Sequence, residues 1–341
     1  MKKILIYLVI GIIFFTAGWF LKDFIKSASK SPKTVIQQIR PRPLDKYTIE
    51  NLSQKTITPT EIKIERLLKE EKSFTTYLFS ISFDPTLENK TQKKVTGVLN
   101  IPAKGKNFPL VLMLRGFVDQ KTYTSGTGTK RAAEFFAQKG FITVAPDFLG
   151  YGESDKESEN IFESRFQTYT TVLTLLSSFG SPSFTKATED KWDNKNIFLW
   201  GHSNGGQIAL TVLEITGKSY PTTLWAPVSK PFPYSILYYT DESEDLGKLI
   251  RKELAKFEED YDVNLYSIHN YFGQIHAPIQ IHQGTADDAV PVDWTKKLVK
   301  NLKSLDLDID LYLHIGADHN LQPSWNTVVT RDLKFFNANL N

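Results

Sequence analysis

The N-terminal pattern is a continuous apolar run. Residues Ile4 to Leu21 (ILIYLVIGIIFFTAGWFL) carry no charge, and lysines flank the run on both sides. As a helix this stretch is about 27 Å long, close to the roughly 30 Å hydrocarbon core of a bilayer. The pattern predicts a cytoplasmic tail and transmembrane anchor within residues 1–27, with the lipid bilayer as a partner through residues 4–21.

Two other structures compete for this segment. A cleaved signal peptide has a shorter apolar core of roughly 7–15 residues, followed by a small-residue cleavage site. Ser27-Ala28-Ser29 matches that site poorly, and Lys22 and Lys26 separate it from the apolar run. A buried core helix is the third alternative. A short tail before a long domain favours a single-pass protein with an extracytoplasmic domain, whereas signal cleavage would give a secreted one.

After the anchor the pattern becomes polar and then alternates. Residues 28–45 contain Pro32, Pro41 and Pro43, which predicts an extended stalk. From residue 46 onward, alternating patterns first predict antiparallel strands at Phe74–Phe83 and Lys94–Ile101. Short buried-type runs then predict strands at Leu110–Leu114, Phe141–Ala145, Asn196–Trp200, Thr222–Trp225, Pro278–His282 and Asp308–His314. Helical patterns lie between most of the later runs. This order predicts an α/β domain over 46–341, with a mostly parallel central sheet and helices on both faces.

One long segment interrupts the alternation. Residues 226–277 separate two predicted strands and include a charged helical pattern near 244–259, followed by an aromatic-rich return. Such a segment is typical either of a small cap over the carboxyl edge of the sheet or of a surface helical excursion. Both interpretations stay open.

Composition removes several function classes. The 341 residues hold 41 Lys and Arg against 38 Asp and Glu, a net charge of +3. Six of these lysines and one acid lie in residues 1–33, which leaves 35 basic and 37 acidic residues in 34–341. The folded part is therefore slightly acidic, and no nucleic-acid partner is predicted. The oligomeric state stays open.

The absence of certain residue types and motifs excludes several kinds of catalytic and cofactor-binding site. The chain has no cysteine, which excludes disulfides, thiolate metal sites and a cysteine nucleophile. It also has no H-E-x-x-H motif, no G-x-G-x-x-G motif opening a helix and no Walker-type loop. We therefore predict neither a metal site nor a cofactor.

The strongest chemical signal is Gly201-His202-Ser203-Asn204-Gly205-Gly206. It is a G-x-S-x-G motif placed directly after an apolar strand and before a helical pattern. A tight turn there exposes the Ser203 hydroxyl above the sheet, while Gly201 and Gly205 allow close backbone approach and Gly206 allows the helix to pack. The amide of Asn204, together with an amide from the loop after Leu110–Leu114, would form an oxyanion hole.

A serine nucleophile needs a base and an acid that orients the base. His319 lies in a polar loop just after the last strand, where catalytic loops of a parallel sheet gather. Two carboxylates follow the preceding strand, and spacing alone leaves both Asp287 and Asp288 open. The chain order of serine, acid and histidine is that of an α/β-hydrolase.

Four motifs together carry a family resemblance. They are the elbow GHSNGG, PDFLGYGESD at 146–155, HQGTADDAVP at 282–291 and GADHN at 316–320. From about Leu110 to the C-terminus the chain resembles the α/β-hydrolase fold and is most similar to the catalytic domain of the prolyl oligopeptidase family of serine peptidases. The resemblance implies that Asp287 is the orienting acid and that Phe117 supplies the second oxyanion amide. Arg115 stands where the family often has histidine, and it would form a structural salt bridge or contact a substrate carboxylate.

The resemblance implies a function without fixing the substrate. Such peptidases carry a β-propeller or another large domain before the catalytic one, and residues 46–109 are too few for that. We expect a membrane-anchored serine hydrolase that acts through an acyl-enzyme on small peptides or esters. A peptidase is favoured, a carboxylesterase is the alternative, and a catalytically inactive membrane-tethered binding protein is the alternative of another class.

Overall fold

The computed structural model describes residues 41–240, 245 and 247–341 of the protein. Residues 42–341 form one compact unit. The predicted anchor over 4–21 and most of the predicted stalk over 28–45 lie outside the described residues, although Leu44 at the end of that stalk is buried in the core. Among the helices that are described, none is long and apolar enough to cross a membrane.

A nine-stranded sheet forms the centre of the compact unit. Its strands are β1 Ile62–Glu70, β2 Phe74–Phe83, β3 Lys93–Pro102, β4 Phe108–Leu114, β5 Ile142–Pro146, β6 Trp192–His202, β7 Thr222–Trp225, β8 Ile279–Gly284 and β9 Ile309–His314. They lie in the order β1-β2-β3-β5-β4-β6-β7-β8-β9. The pairs β1–β2, β2–β3 and β3–β5 are antiparallel. The pairs β5–β4, β4–β6, β6–β7, β7–β8 and β8–β9 are parallel. The predicted mostly parallel sheet is confirmed.

Helices cover the sheet and connect its parallel strands. They are α1 Ile49–Ser53, α2 Lys130–Gln138, α3 Ile161–Ser178, α4 Pro182–Ala187, α5 Asn204–Thr216, α6 Tyr234–Leu237, α7 Lys248–Asp260, α8 Val292–Lys303 and α9 Trp325–Ala338, with 3₁₀ turns at Asp45–Tyr47, Val263–Tyr266, Ile268–Asn270 and Phe272–Gln274. Successive residues of β4 point into different cores. Leu112 belongs to the cluster that includes α3 and α5, whereas Val111 and Met113 belong to the cluster of α2 and α9. Both faces of the sheet are therefore buried, as a parallel sheet requires.

The edge strand β1 was not predicted from the sequence. Its register against β2 shifts twice, after Ile64 and after Leu67, and these bulges break the period-two alternation that identifies a strand. Leu67 and Leu68 are both largely exposed. Because an edge strand buries little of either face, it lacks the apolar signal that identified Phe74–Phe83.

The segment 226–277 is built into the core through an aromatic cluster. Phe232, Phe257 and Tyr266 pack against rings of α3, and the Tyr266 ring stacks on Phe166 with centroids 4.9 Å apart. Phe162 contacts Phe257 at 5.1 Å. The described part of the segment is therefore fixed to α3 at three positions.

Candidate active site

The turn between β6 and α5 holds Ser203 in a strained conformation. Its φ and ψ are 55° and −120°, a region that side chains rarely adopt. Neighbouring backbone fixes this geometry, since the Ser203 amide donates to the carbonyl oxygen of Trp225 at 2.9 Å. The Ser203 carbonyl oxygen accepts from the amides of Gly206 and Val228, each at 3.0 Å. The strand-to-helix turn expected from the G-x-S-x-G motif is present.

The three glycines of the turn lie where a side chain would collide with backbone or with a ring. A Cβ on Gly205 would overlap the carbonyl oxygen of Leu114 at the end of β4. A Cβ on Gly201 would lie 2.7 Å from the carbonyl oxygen of Gly205, and one on Gly206 would lie 2.6 Å from Pro227 Cβ. Close approach, rather than a positive φ, explains why glycine occupies these positions.

His319 meets the buried carboxylate of Asp287. The imidazole Nδ1 lies 3.1 and 3.0 Å from the two carboxylate oxygens of Asp287. The Asp287 side chain is fully buried, while 19% of the His319 side chain is exposed. The alternative acid, Asp288, is exposed and makes no hydrogen bond to His319 in the described part of the chain. The geometry therefore brings His319 to Asp287.

Further donors hold the Asp287 carboxylate in place. Oδ1 accepts from the amides of Ala289 and Val290 at 3.0 and 2.8 Å, and Oδ2 accepts from Gln283 Nε2 at 2.9 Å. Burial alone would raise the pKa of Asp287, but the hydrogen bonds from His319, Val290 and Gln283 outweigh it and lower that pKa. Asp287 is therefore a stable carboxylate. Sequence reasoning missed Gln283, although it lies in the same motif.

The His319 loop is tied to the turn that carries Ser203. His202 Nε2 lies 3.0 Å from the carbonyl oxygen of His319, and because a carbonyl only accepts, Nε2 carries the hydrogen. The two imidazole rings are 4.7 Å apart. Between the side chains of Ser203 and His319, both described, no hydrogen bond is formed in this structure; such bonds often tighten only when substrate binds. His202 Nε2 is therefore occupied by the His319 carbonyl oxygen and is not available to take the Ser203 proton.

Two backbone amides beside Ser203 are free to bind an oxyanion. The loop after β4 passes close to the nucleophile, and a Cβ on Gly116 would lie 2.9 Å from Ser203 Cβ. Neither the Asn204 amide nor the Phe117 amide donates a hydrogen bond to another described residue. Phe117 as a whole is 81% exposed. This arrangement fits the predicted pair of oxyanion donors.

Arg115 does not form the expected salt bridge with any described residue. It is buried, and it donates to the carbonyl oxygens of Gly116 at 3.0 Å and Asp147 at 2.9 Å. Its guanidinium lies 3.9 Å from the ring centroid of Tyr151 and 4.7 Å from that of Tyr123. Only 6% of Arg115 is exposed. Its contacts instead hold the loop that supplies the Phe117 amide.

We expect Arg115→Lys to lower kcat by about 10²-fold with little change in KM, because a displaced oxyanion donor acts mainly on the transition state. Lysine keeps the charge but cannot reproduce the planar, two-pronged contact. Arg131→Lys is a matched control, since the Arg131 guanidinium also stacks on a ring, 3.7 Å from the Trp325 centroid. Steady-state kinetics on both variants check this, and equal kcat values would contradict it.

Two more histidines lie in a separate buried network. His282 Nδ1 is 3.0 Å from His314 Nε2, and its Nε2 is 3.1 Å from the buried Asp332 carboxylate. Asp332 also accepts from Trp225 Nε1 at 2.7 Å and from Gln280 Nε2 at 3.0 Å. The network bonds to the sheet and α9 rather than to Ser203. Among the described residues, no three His, Asp or Glu side chains are grouped to hold a metal ion.

Buried histidines make the stability of the protein depend on pH. Burial is the main cause that lowers the pKa of His202, His269 and His314 to about 4. In the unfolded chain a histidine pKa is about 6.5, so between pH 6.5 and 4 the unfolded state binds more protons. We expect the free energy of unfolding to fall as the pH is lowered from 7 to 4.5.

Urea unfolding across this pH range measures the effect. His314→Gln keeps a polar side chain beside His282 but removes one titrating group, and it should give a shallower pH dependence. His276→Gln, at an exposed histidine, is the control and should leave the slope unchanged. A free energy of unfolding that stays constant from pH 7 to 4.5 would contradict the argument.

The comparisons with known proteins agree with this geometry. The model of the prolyl oligopeptidase family (Peptidase_S9) matches residues 128–341, which is more than half of the chain and includes all three predicted triad residues. The chain belongs to the prolyl oligopeptidase family. It is a serine hydrolase of that family, built on the α/β-hydrolase fold. The sequence matches no curated protein.

Solved structures support the fold assignment of this prolyl oligopeptidase family member. Acetyl xylan esterase from Paenibacillus sp. R4 is 15% identical, with a TM-score of 0.61 and coverage of 91% of this chain and 100% of that one. Acetyl xylan esterase 1 from Thermoanaerobacterium sp. JW/SL YS485 is 13% identical, with a TM-score of 0.56 and coverage of 88% and 97%. A putative dipeptidyl aminopeptidase IV from Bacteroides ovatus ATCC 8483 is 15% identical, with a TM-score of 0.50 and coverage of 82% and 36%. At these identities the likeness concerns the fold.

Proposed function

We propose that this protein is a peptidase that works through an acyl-enzyme formed on Ser203. The observation that carries the acyl-enzyme mechanism is the His319–Asp287 pair, with Nδ1 3.0 Å from the carboxylate, tied to the strained Ser203 turn. Ser203 Oγ attacks the substrate carbonyl carbon, and the amides of Asn204 and Phe117 bind the resulting oxyanion.

The Asp287 contact decides which nitrogen of His319 acts as the base. Because the Asp287 carboxylate can only accept a hydrogen bond, His319 Nδ1 carries the hydrogen that it donates to Asp287. His319 Nε2 therefore keeps its lone pair. Nε2 takes the proton from the Ser203 hydroxyl and then gives it to the leaving amine as the C–N bond breaks. Water enters, loses a proton to Nε2 and attacks the acyl-enzyme, which releases the acid and returns the proton to Ser203.

The choice of a peptidase rests on the family match over residues 128–341. A carboxylesterase on the same fold is the second candidate. It is favoured by the acetyl xylan esterase structures, which this chain covers over 97–100% of their own length. Both activities use the same triad, and they differ in the leaving group that His319 must protonate.

A direct comparison of leaving groups tests this choice. The same acyl group is presented as a 4-nitroanilide and as a 4-nitrophenyl ester, with Ser203→Ala as the blank for uncatalysed hydrolysis. A peptidase is expected to release 4-nitroaniline at a rate well above the blank, as well as cleaving the more reactive ester. Ester cleavage with anilide release no faster than the blank would reject the peptidase in favour of the carboxylesterase.

We also propose that residues 4–21 anchor the protein in a bilayer with its catalytic domain outside the cytoplasm. The uncharged, lysine-flanked run of 18 residues supports this. The full-length chain is expected in the membrane fraction, and a variant lacking residues 1–27 in the soluble fraction. Protease added to intact cells should degrade the catalytic domain, and protection of that domain would contradict the orientation.

A further inference from the structure

A small pocket lies beside the candidate active site, between the start of the 226–277 segment and α8. Its volume is about 210 Å³. Its lining combines aromatic rings with basic and hydroxyl groups and includes Ser229, Lys230, Tyr234, His269, Trp294 and Lys297. We call it the lysine pocket. The triad does not use any of these side chains.

One wall of the lysine pocket is continuous with the catalytic machinery. Val228, directly before Ser229, donates its amide hydrogen to the carbonyl oxygen of Ser203 at 3.0 Å. The Val228 side chain packs with Val290 and Trp294 in one buried cluster. Val290 in turn donates its amide hydrogen to the Asp287 carboxylate at 2.8 Å. Two backbone hydrogen bonds and one buried cluster therefore connect the wall of the lysine pocket to Ser203 and Asp287.

The pocket carries positive charge that no carboxylate of the described chain neutralises. Lys230 and Lys297 form no salt bridge with a described residue, whereas the neighbouring Lys296 lies 3.4 Å from Asp293. Lys230 Nζ lies 5.3 Å from the ring centroids of both Tyr234 and Trp294, so it is held over the aromatic wall. Two uncompensated ammonium groups at one small cavity favour an anion.

Two buried polar atoms in the pocket also lack partners. Ser229 is only 3% exposed, and its hydroxyl makes no hydrogen bond to any described residue. His269 Nδ1 is also a buried atom that makes no hydrogen bond to any described residue. Burial, together with the charges of Lys297 and Lys230, lowers the pKa of His269, so its imidazole is neutral at pH 7 and can carry one N–H donor. Buried polar atoms without partners are uncommon. A carboxylate in the pocket would accept from the Ser229 hydroxyl, and from His269 in the tautomer that carries its hydrogen on Nδ1.

We propose that the lysine pocket is a subsite for a carboxylate carried by the acyl part of the substrate, a proposal that rests on the proposed acyl-transfer function. Lys230 and Lys297 supply the charge, and Ser229 and His269 supply neutral donors from the floor. The aromatic wall of Tyr234 and Trp294 contacts the methylene groups between the carboxylate and the scissile carbonyl. The enzyme therefore prefers acidic acyl groups, such as a glutamyl residue, over neutral ones of the same size.

Matched substrate pairs test the preference whether the enzyme cleaves amides or esters. The pairs are glutamyl and glutaminyl 4-nitroanilide, and the 4-nitrophenyl esters of glutarate (monoester) and pentanoate. For the pair that is turned over, we expect kcat/KM to favour the carboxylate member by about tenfold, with the preference lost in a Lys230→Gln, Lys297→Gln double variant. Lys296→Gln, one residue away and already paired with Asp293, is the control and should keep the preference.

A binding measurement tests the carboxylate subsite even if the protein proves to have no hydrolase activity. Saturation-transfer NMR with glutarate is performed on Ser203→Ala protein, which needs no catalysis. Glutarate should give a signal that disappears when both lysines are replaced and persists with Lys296→Gln. The proposal is overturned if the double variant keeps the glutarate signal, if Ser203→Ala gives none, or if the wild type cleaves the neutral substrates at least as well.

Discussion

Replacing Ser203 by alanine is expected to lower kcat by about 10⁴- to 10⁶-fold, the largest effect of any single substitution in this chain. The hydroxyl is the only nucleophile at the strained turn between β6 and α5, and alanine removes it without adding bulk. Because the remaining contacts to substrate are retained, KM should change much less than kcat. Steady-state kinetics with an activated ester measure both quantities.

The control for this substitution is another serine at an exposed position. Ser304, at the end of α8, donates its hydroxyl to the carbonyl oxygen of Asn301 and lies away from the triad. Ser304→Ala should keep wild-type kcat. If Ser203→Ala retained more than about one-hundredth of the activity, the hydrolysis would depend on another group.

The second large effect is expected from Asp287→Asn, which should lower kcat by about 10⁴-fold while the protein stays folded. Asparagine can still accept from the amides of Ala289 and Val290 through its carbonyl oxygen. Its NH₂ group would then face His319 Nδ1, which must give up its hydrogen to accept from it. The hydrogen moves to Nε2, so His319 can no longer take the serine proton.

Asp288→Asn is the matched control, because it changes the neighbouring carboxylate, which is exposed and does not contact His319. This variant should retain activity close to that of the wild type. Circular dichroism on both variants shows whether either has lost its fold. A loss of activity in Asp288→Asn comparable with that in Asp287→Asn would mean that the wrong carboxylate has been assigned.

The sequence predicted the sheet best where strands are buried on both faces. Phe74–Phe83 and Thr222–Trp225 have the predicted bounds. The first shows the alternation typical of a strand, and the second is a short strand that is buried throughout. The edge strand β1 was missed because bulges and exposed leucines remove its periodicity. The short helices α1 and α4 were missed as well, because five or six residues are too few for a helical period to be visible.

Within the site, residues that a local motif identifies could be predicted, and residues that meet through distant packing could not. Ser203 and His319 follow directly from the G-x-S-x-G motif and from the end of the last strand. Spacing left Asp287 and Asp288 open, and the family resemblance implied Asp287. The folded loop turns the Asp287 carboxylate toward His319 and the amide of Val290.

Arg115 illustrates the second case. Its partners, Tyr123 and Tyr151, lie on two different loops, and sequence separation gives no sign that their rings meet the same guanidinium. A buried arginine held by rings and carbonyl oxygens has the same sequence signature as one in a salt bridge. Only the structure therefore identifies it as a support for the oxyanion loop.

Fluorophosphonate labelling of the full-length protein tests the central claim most directly, because this reagent reacts with a serine that a neighbouring histidine activates. Peptide mapping of the labelled wild-type protein locates the adduct. We predict one adduct, on Ser203, which is absent from Ser203→Ala, strongly slowed in Asp287→Asn and unchanged in Ser304→Ala. A wild-type protein that does not react, or a Ser203→Ala protein that labels equally well, would contradict the assignment and favour a binding protein without catalytic activity.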